Sequence, residues 1–220
     1  MIVDLGTGDG RAVLARATAD PRAFVIGVDA NAAGMAESSR RAARRRGDGA
    51  SDNAIFLVEA AEALPGPIAL AASLVTVTMP WGSLLRGVLG LDVEALRGAA
   101  SIVAPGGRVE VLASVLPADR VEGIGVLDRT SEAQIADAWR SVGLELESMR
   151  PATVEDLRAT RSSWARRLGD RPVWRLDFRR CRRAAVSERS FRLIGIITEL
   201  TSSADASGVV PRARGQDGRH

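Results

Sequence analysis

The stretch Ile2-Val3-Asp4-Leu5-Gly6-Thr7-Gly8-Asp9-Gly10 decides the fold. Four residues with an apolar majority run into a loop with a glycine at every second position, and a helical pattern begins at Arg11. Glycines in a strand–loop–helix let the backbone turn tightly and let a ligand approach where any Cβ would collide. The amides at the start of the following helix then point at that ligand. The G-x-G-x-G spacing differs from the G-x-G-x-x-G of dinucleotide folds. Asp4 ahead of the loop suits a site facing a sulfonium and an ammonium group, and less a pyrophosphate. Asp9 has two equal readings, as a ligand-facing acid and as a cap of the helix that follows.

Outward from this loop the apolar runs recur. Strands are expected at Met1–Leu5, Val25–Asp29, Ile55–Glu59, Leu74–Met79, Val109–Val115, Leu144–Met149 and Val173–Phe178. Helical patterns fall between them, near 11–19, 32–46, 92–103, 131–142 and 154–168. Continuous apolar strands alternating with helices indicate an α/β fold with a mostly parallel sheet covered on both faces. Pro105-Gly106-Gly107 reads as a sharp turn feeding the fifth strand. Residues 1–180 make the folded domain in this reading, and 181–220 form a C-terminal extension, largely disordered: Phe191–Leu200 is an isolated apolar stretch without an assigned role, and Ser202–His220 is a Ser/Gly/Ala/Arg mixture without periodicity.

Two further strand ends carry acids in register with the glycine loop. The second strand closes Gly27-Val28-Asp29, where a carboxylate can accept both hydroxyls of a ribose. After the third strand, Ala60-Ala61-Glu62 stands where an adenine contact would fall. Together with Asp4, Gly6 and Gly8, these positions point to S-adenosyl-L-methionine. The fourth strand ends Thr78-Met79-Pro80-Trp81-Gly82-Ser83, and ligands in open α/β sheets sit outside the carboxyl ends of strands. Trp81 is therefore expected at the mouth of the site as a stacking platform, with Trp164 a second one set among arginines. Trp139 and Trp174 lie in apolar patterns and are expected in the core.

Composition narrows the chemistry. The 220 residues contain no lysine and no tyrosine, and all 30 basic residues are arginine. Cys181 is the sole cysteine and His220 the sole histidine, which excludes a disulfide, a cysteine metal site and histidine-based catalysis. No apolar run approaches the ~18 residues of a membrane span, and a cytoplasmic, monomeric protein without a metal is expected. Residues 40–46 hold five arginines and no acid, while 158–192 hold twelve arginines against three acids. Two such segments on an otherwise acidic chain suggest a polyanionic partner.

Three motifs carry a resemblance: Asp4–Gly10, the run Met-Pro-Trp-Gly-Ser-Leu-Leu-Arg-Gly-Val-Leu-Gly at 79–90, and Ser-Ser-Trp-Ala-Arg-Arg-Leu at 162–168. Together they resemble the aminoglycoside-resistance 16S rRNA methyltransferases, which act on N1 of decoding-site adenine 1408. The resemblance covers about residues 1–178. It implies a Rossmann-like class I S-adenosylmethionine-dependent methyltransferase with a seven-stranded sheet, whose partner is the 16S rRNA of the 30S subunit. By position it implies that Asp4, Gly6, Gly8, Asp29, Ala61, Glu62 and Ser83 line the cofactor pocket. Trp81 and Trp164 would sandwich the flipped adenine, with Ser162 shaping its pocket and Ser83 beside it. Arg40, Arg41, Arg44, Arg45, Arg166, Arg167 and Arg171 would dock on rRNA.

Three departures bear on docking. Family members carry a further segment ahead of the first strand, so that either the start is misassigned or a docking element is missing. Their linker after the second strand is basic where this one includes Asp48 and Asp52, which is expected to weaken rRNA binding, and the short segment between Leu168 and the last strand leaves fewer basic groups around Arg171. Two other readings fit the same residues: a methyltransferase of another RNA such as tRNA, and a weakly active or inactive cofactor-binding homologue that contacts the small subunit.

Overall fold

The computed structural model describes residues 1–47, 53–161 and 171–182, with side chains omitted for 45–47. Seven strands form one sheet in the order β3-β2-β1-β4-β5-β7-β6. They are β1 (Ile2–Leu5), β2 (Val25–Asp29), β3 (Ala54–Val58), β4 (Ala72–Thr78), β5 (Val103–Ala113), β6 (Leu144–Pro151) and β7 (Trp174–Arg180). The first five pair in parallel, while β7 runs antiparallel between β5 and β6. The helices are α1 (Arg11–Ala19), α2 (Ala32–Gly47), α3 (Gly82–Val88), α4 (Val93–Ser101), α5 (Glu132–Ser141) and α6 (Val154–Ala159).

The sheet forms where the sequence is apolar on both faces. Val25, Ile26 and Val28 of β2 and Val75 and Val77 of β4 are buried, as central strands covered by helices must be. The chain leaves β1 in one direction to reach β2 and returns on its other side at β4, so a crevice opens at the carboxyl ends of β1 and β4. On the far side of the sheet Trp139 of α5 stacks on Phe178 of β7 with ring centroids 4.3 Å apart. The Trp139 indole N–H donates to the Val88 carbonyl at 3.0 Å, which ties α5 to the end of α3 without leaving a buried donor unpaired. Trp174 is half-buried against the same core.

Three elements differ from the sequence reading. Helix α3 was not expected, because Gly82 and Gly87 weaken a helical pattern. Gly87 is there for contact: a Cβ on it would sit 2.7 Å from the Cβ of Ala95 in α4. Strand β5 starts at Val103, ahead of Pro105-Gly106-Gly107, and the pairing jumps from Ala72↔Val103 to Leu74↔Arg108. The expected turn is thus a bulge inside a strand. Helix α6 ends at Ala159, short of the expected 168, and 162–168 of that range lies outside the described residues. Met1–Arg182 is one compact unit, and the expected disordered extension lies outside the described residues from 183 onward.

Candidate active site

A cleft of about 310 Å³ opens at the crevice between β1 and β4. Its floor is the glycine loop. Gly6, Gly8 and Gly10 all have positive φ (70°, 61° and 69°), the left-handed region that β-carbon sterics close to most residues. Above Gly8 no atom lies within 4 Å of where a Cβ would be, so the loop presents bare backbone to open space. At Gly10 a Cβ would meet the Phe56 ring at 2.5 Å, so that glycine is needed for packing as well.

Asp29 holds the loop from the neighbouring strand. Its Oδ2 accepts from the Gly8 N–H and its Oδ1 from the Asn31 N–H, both at 2.8 Å. The carboxylate, which lines the cleft, keeps acceptor capacity beyond these two bonds. Asp4 lies deeper, with Oδ1 accepting from the Thr76 hydroxyl at 2.6 Å. Burial pushes its pKa above the ordinary carboxylate value, and the charge of Asp29 adds to this. The Thr76 bond, the nearby Thr7 hydroxyl and Arg16 pull the other way. Thr7 Oγ1 is itself buried and, off hydrogen-bond geometry with Asp4, has no partner of its own. A site with two carboxylates, one of them reluctant to ionise, favours a cationic ligand, whose charge would restore the ionised form.

The third wall comes from β3 and the turn beyond it. Glu59, Ala60 and Ala61 line the cleft, whereas Glu62 is exposed outside the lining. The carboxylate that β3 delivers is therefore Glu59, the first residue past the strand, and its position at a strand end was the available signal. Ala61 is pinned from behind by α4, where a Cβ on Gly98 would fall 1.7 Å from the Ala61 carbonyl oxygen.

The fourth wall is the Thr78–Leu84 segment. Met79 carries φ 52°, unfavourable for a residue with a side chain, yet it is buried and its N–H donates to the Leu112 carbonyl at 2.7 Å. Strain of this kind persists where surrounding contacts over-determine it. It turns the chain so that Trp81 lines the cleft with 56% of its surface exposed. Such an exposed indole is not core. Ser83 and Leu84 complete the wall.

Asp9 lines the cleft, and its Oδ1 accepts from the Arg11 N–H at 3.1 Å, but the N-cap of α1 is Gly10, which has no side-chain cap. Arg40, Arg41 and Arg44 are exposed on α2, with Arg40 paired to Glu37 at 2.9 Å. Arg171 is engaged elsewhere: it donates to Ser114 Oγ at 2.8 Å and forms an ion pair with Asp119. Hydrogen bonding from the Leu116 amide, ahead of Arg171, holds the Asp119 carboxyl below its usual value. Ser162, Trp164, Arg166, Arg167 and the Arg45 side chain lie outside the described residues.

This sheet order, with an antiparallel β7 and a glycine-loop cleft at the β1/β4 crevice, defines a class I S-adenosylmethionine-dependent methyltransferase of Rossmann-like fold. The family model for 16S rRNA (adenine(1408)-N(1))-methyltransferases of the NpmA type matches residues 1–173, and the chain belongs to that family. A relative of that name from Streptoalloteichus tenebrarius is 34% identical over 174 residues, 76% of this chain and 80% of the relative. Among solved structures, a variant of the Catenulisporales acidiphilia enzyme with its cosubstrate S-adenosylmethionine superposes with a TM-score of 0.73 at 30% identity. It covers 83% of this chain and 86% of its own. The aminoglycoside resistance methyltransferase NpmB1 gives a TM-score of 0.64 at 37% identity, covering 81% and 86%.

Proposed function

We propose that this chain methylates N1 of adenine 1408 in the assembled 30S subunit, with Trp81 as one wall of the target-base pocket and Trp164 as the other. The observation that carries the reading is Trp81, an exposed indole on the rim of a cleft built for a cationic nucleoside. Asp4, Gly6, Gly8, Asp29 and Ala61 would hold S-adenosyl-L-methionine, and they fit it. Bare backbone at Gly8 admits a ligand closely, Asp29 keeps acceptor capacity, and Asp4 gains from a positive charge. Glu59 takes the part first expected of Glu62.

When bound, S-adenosylmethionine supplies an electrophilic methyl group. N1 of neutral adenine offers its own lone pair, so the protein needs no general base. What the residues contribute is alignment, which supplies roughly 7–11 kcal/mol in well-oriented systems. Withdrawing the base from its stack costs a few kcal/mol, and stacking on an aromatic ring returns about 1–3 kcal/mol per base. Two indoles with Ser162 and Ser83 beside them offset the flip, and their faces favour the positive charge that builds on the methylated ring. Arg40, Arg41, Arg44, Arg45, Arg166 and Arg167 would meet rRNA phosphates. The enzyme would act in the cytoplasm, without a metal, and as a monomer, since one chain supplies the lining of the cofactor cleft.

Incubating 30S subunits with protein and S-adenosylmethionine, then extending a primer across the decoding site, tests this. The expected result is a stop at adenine 1408 that Trp81→Ala and Trp164→Ala both weaken. No stop on 30S, or a methylated product on tRNA alone, would overturn the target. Unchanged turnover in both variants would remove the sandwich.

A further inference from the structure

The row of residues that contains Asp4 is polar from β1 across to β6. Pairing sets Asp4 of β1 beside Thr76 of β4, Thr76 beside Glu110 of β5, and Glu110 beside Asp177 of β7. Ser148 of β6 ends the row and donates to Asp177 Oδ2 at 2.8 Å. Residues opposed in this way share one face of a sheet. It is the face that α1 covers, because a Cβ on Gly27, the partner of Asp4 in β2, would lie 3.0 Å from a Val13 methyl of α1. A helix-covered face is ordinarily apolar, so each polar group in the row needs a partner.

In the outer half of the row that partner is an arginine. Arg175 of β7 pairs with Asp177 at 2.8 Å and with Glu110 at 3.4 Å, so one guanidinium is shared by both acids. Asp4 is held differently. Thr76, 7% exposed, donates to its Oδ1 at 2.6 Å, the short distance of a hydrogen bond to an ionised acceptor. Arg16 of α1 acts on Asp4 through its charge. Thr76 and Arg16 line a second cavity, of about 40 Å³, together with Thr78, Glu110, Thr160 and Arg175. Neither of the two lines the cofactor cleft, whereas Asp4 does. A carboxyl group turns over a broad range about its last torsion unless a partner holds it, while a β-branched side chain is confined at χ1. Thr76 therefore gives Asp4 an orientation that it would not have alone.

We propose that Thr76 and Arg16 are positioning residues for cofactor binding: from outside the cleft, Thr76 fixes the rotation of the Asp4 carboxylate and Arg16 offsets its charge. This rests on the reading that Asp4 holds S-adenosylmethionine. The other groups that act on Asp4 are Thr7 of the glycine loop and Asp29 at the end of β2, and Asp9 and Glu59 line the same cleft. Burial and Asp29 favour the protonated form of Asp4. Thr76, Thr7 and Arg16 favour the ionised form, which is the one a cationic ligand needs. Loss of Thr76 or Arg16 should therefore weaken cofactor binding, and most of all on the acid side.

Thr76→Val keeps the branch and removes the donor, Thr76→Ser keeps the donor, and Arg16→Gln removes the charge at a partly exposed position. Calorimetry gives the Kd for S-adenosylmethionine of each across pH, alone and combined with Asp4→Asn. At neutral pH the Kd should rise about tenfold in Thr76→Val and about two- to fivefold in Arg16→Gln. The acid limit of binding should move to higher pH in both, and Thr76→Ser should stay within about twofold of the wild type. Combined with Asp4→Asn, neither Thr76→Val nor Arg16→Gln should weaken binding further, because both act through that carboxylate. Penalties that persist in full beside Asp4→Asn, or Thr76→Ser as weak as Thr76→Val, would overturn the proposal. An Arg16→Gln chain with wild-type affinity and pH profile would overturn it too, and that variant decides the matter should Thr76→Val fail to fold. In each of these cases an Asp4→Asn chain that binds poorly leaves Asp4 in the cofactor site. Asp4→Asn binding as tightly as the wild type would overturn both readings together.

Discussion

Replacing Gly98 with alanine sets two effects against each other in one methyl group. In a helix interior alanine is favoured over glycine by about 1 kcal/mol, and on propensity alone the variant would be more stable. The built Cβ, however, falls 1.7 Å from the Ala61 carbonyl oxygen and 2.7 Å from its carbonyl carbon. An ordinary carbon–oxygen contact needs roughly 3.3 Å, so α4 or the Ala61 turn must move by about 1.5 Å. Both obstacles are backbone, and no rotamer change relieves them. Overpacking of this kind costs about 1–3 kcal/mol, occasionally more, and it outweighs the propensity gain. Net destabilisation of up to about 2 kcal/mol follows, or a Tm lower by up to roughly 8 °C in a domain of this size. Because Ala61 lines the cleft, the displacement also reaches the cofactor, and a wall moved by more than 1 Å should weaken S-adenosylmethionine binding about tenfold or more. Calorimetry and thermal melts read both quantities. Gly66→Ala is the control, since no atom lies within 4 Å of its Cβ position. A Gly98→Ala variant with raised Tm and unchanged cofactor affinity would refute the contact as the determinant of that wall.

Asp4→Asn should separate stability from function. The folded protein holds the Asp4 proton more tightly than the unfolded chain, so this group's contribution to stability is greatest below the unfolded pKa and declines as pH rises through the folded one. Without cofactor, the variant should therefore melt at or above the wild type at neutral pH, with the gap closing in acid. Its affinity for S-adenosylmethionine should fall, and binding isotherms across pH check this. A wild type whose cofactor affinity is flat through the acid range would contradict it. Trp81→Ala should leave Tm nearly unchanged, because the indole is mostly exposed. Loss of one stack worth about 1–3 kcal/mol should cut kcat/KM on 30S by roughly 5- to 150-fold. Phenylalanine at the same position should recover part of it. Replacing Arg40, Arg41 and Arg44 by alanine should flatten the dependence of 30S affinity on log salt by about 1 per lost phosphate contact, as filter binding at several salt concentrations would show.

The strands were legible because burial on both faces leaves a near-continuous apolar run, as in Val25–Val28 and, but for Thr76, Leu74–Val77. The glycine loop and Asp29 were legible because backbone conformation and ligand approach restrict the residue type at each position. What escaped depends on distant partners. Helix α3 carries Gly87 because α4 packs on it, a fact no local window holds. Ala61 lines the cleft, but what fixes it there is Gly98, thirty-odd residues further along the chain. Glu62 and Glu59 differ by three residues around a turn, and a turn decides direction in a way that periodicity does not encode.

Charge shows the same limit most sharply. Along the sequence, 158–192 is the most basic stretch, and counting alone makes it the stronger anchor for RNA. Folding brings it acids from elsewhere. Arg175 takes Glu110, Asp156 and Asp177, Arg171 takes Asp119, and Arg179 takes Glu147. Arg180 donates to the Ala100 carbonyl and Arg161 to that of Ala15. These guanidinium groups brace the sheet edge and its neighbouring loops, and a phosphate could recruit them only by breaking bonds already made. On α2, by contrast, Arg40, Arg41 and Arg44 project from one exposed face with Glu37 as the acid among them. Counterion release follows the cations that actually meet phosphate. The salt dependence of 30S binding should therefore respond more to α2 than to Arg171, Arg175 and Arg179, although the sequence window ranks them the other way.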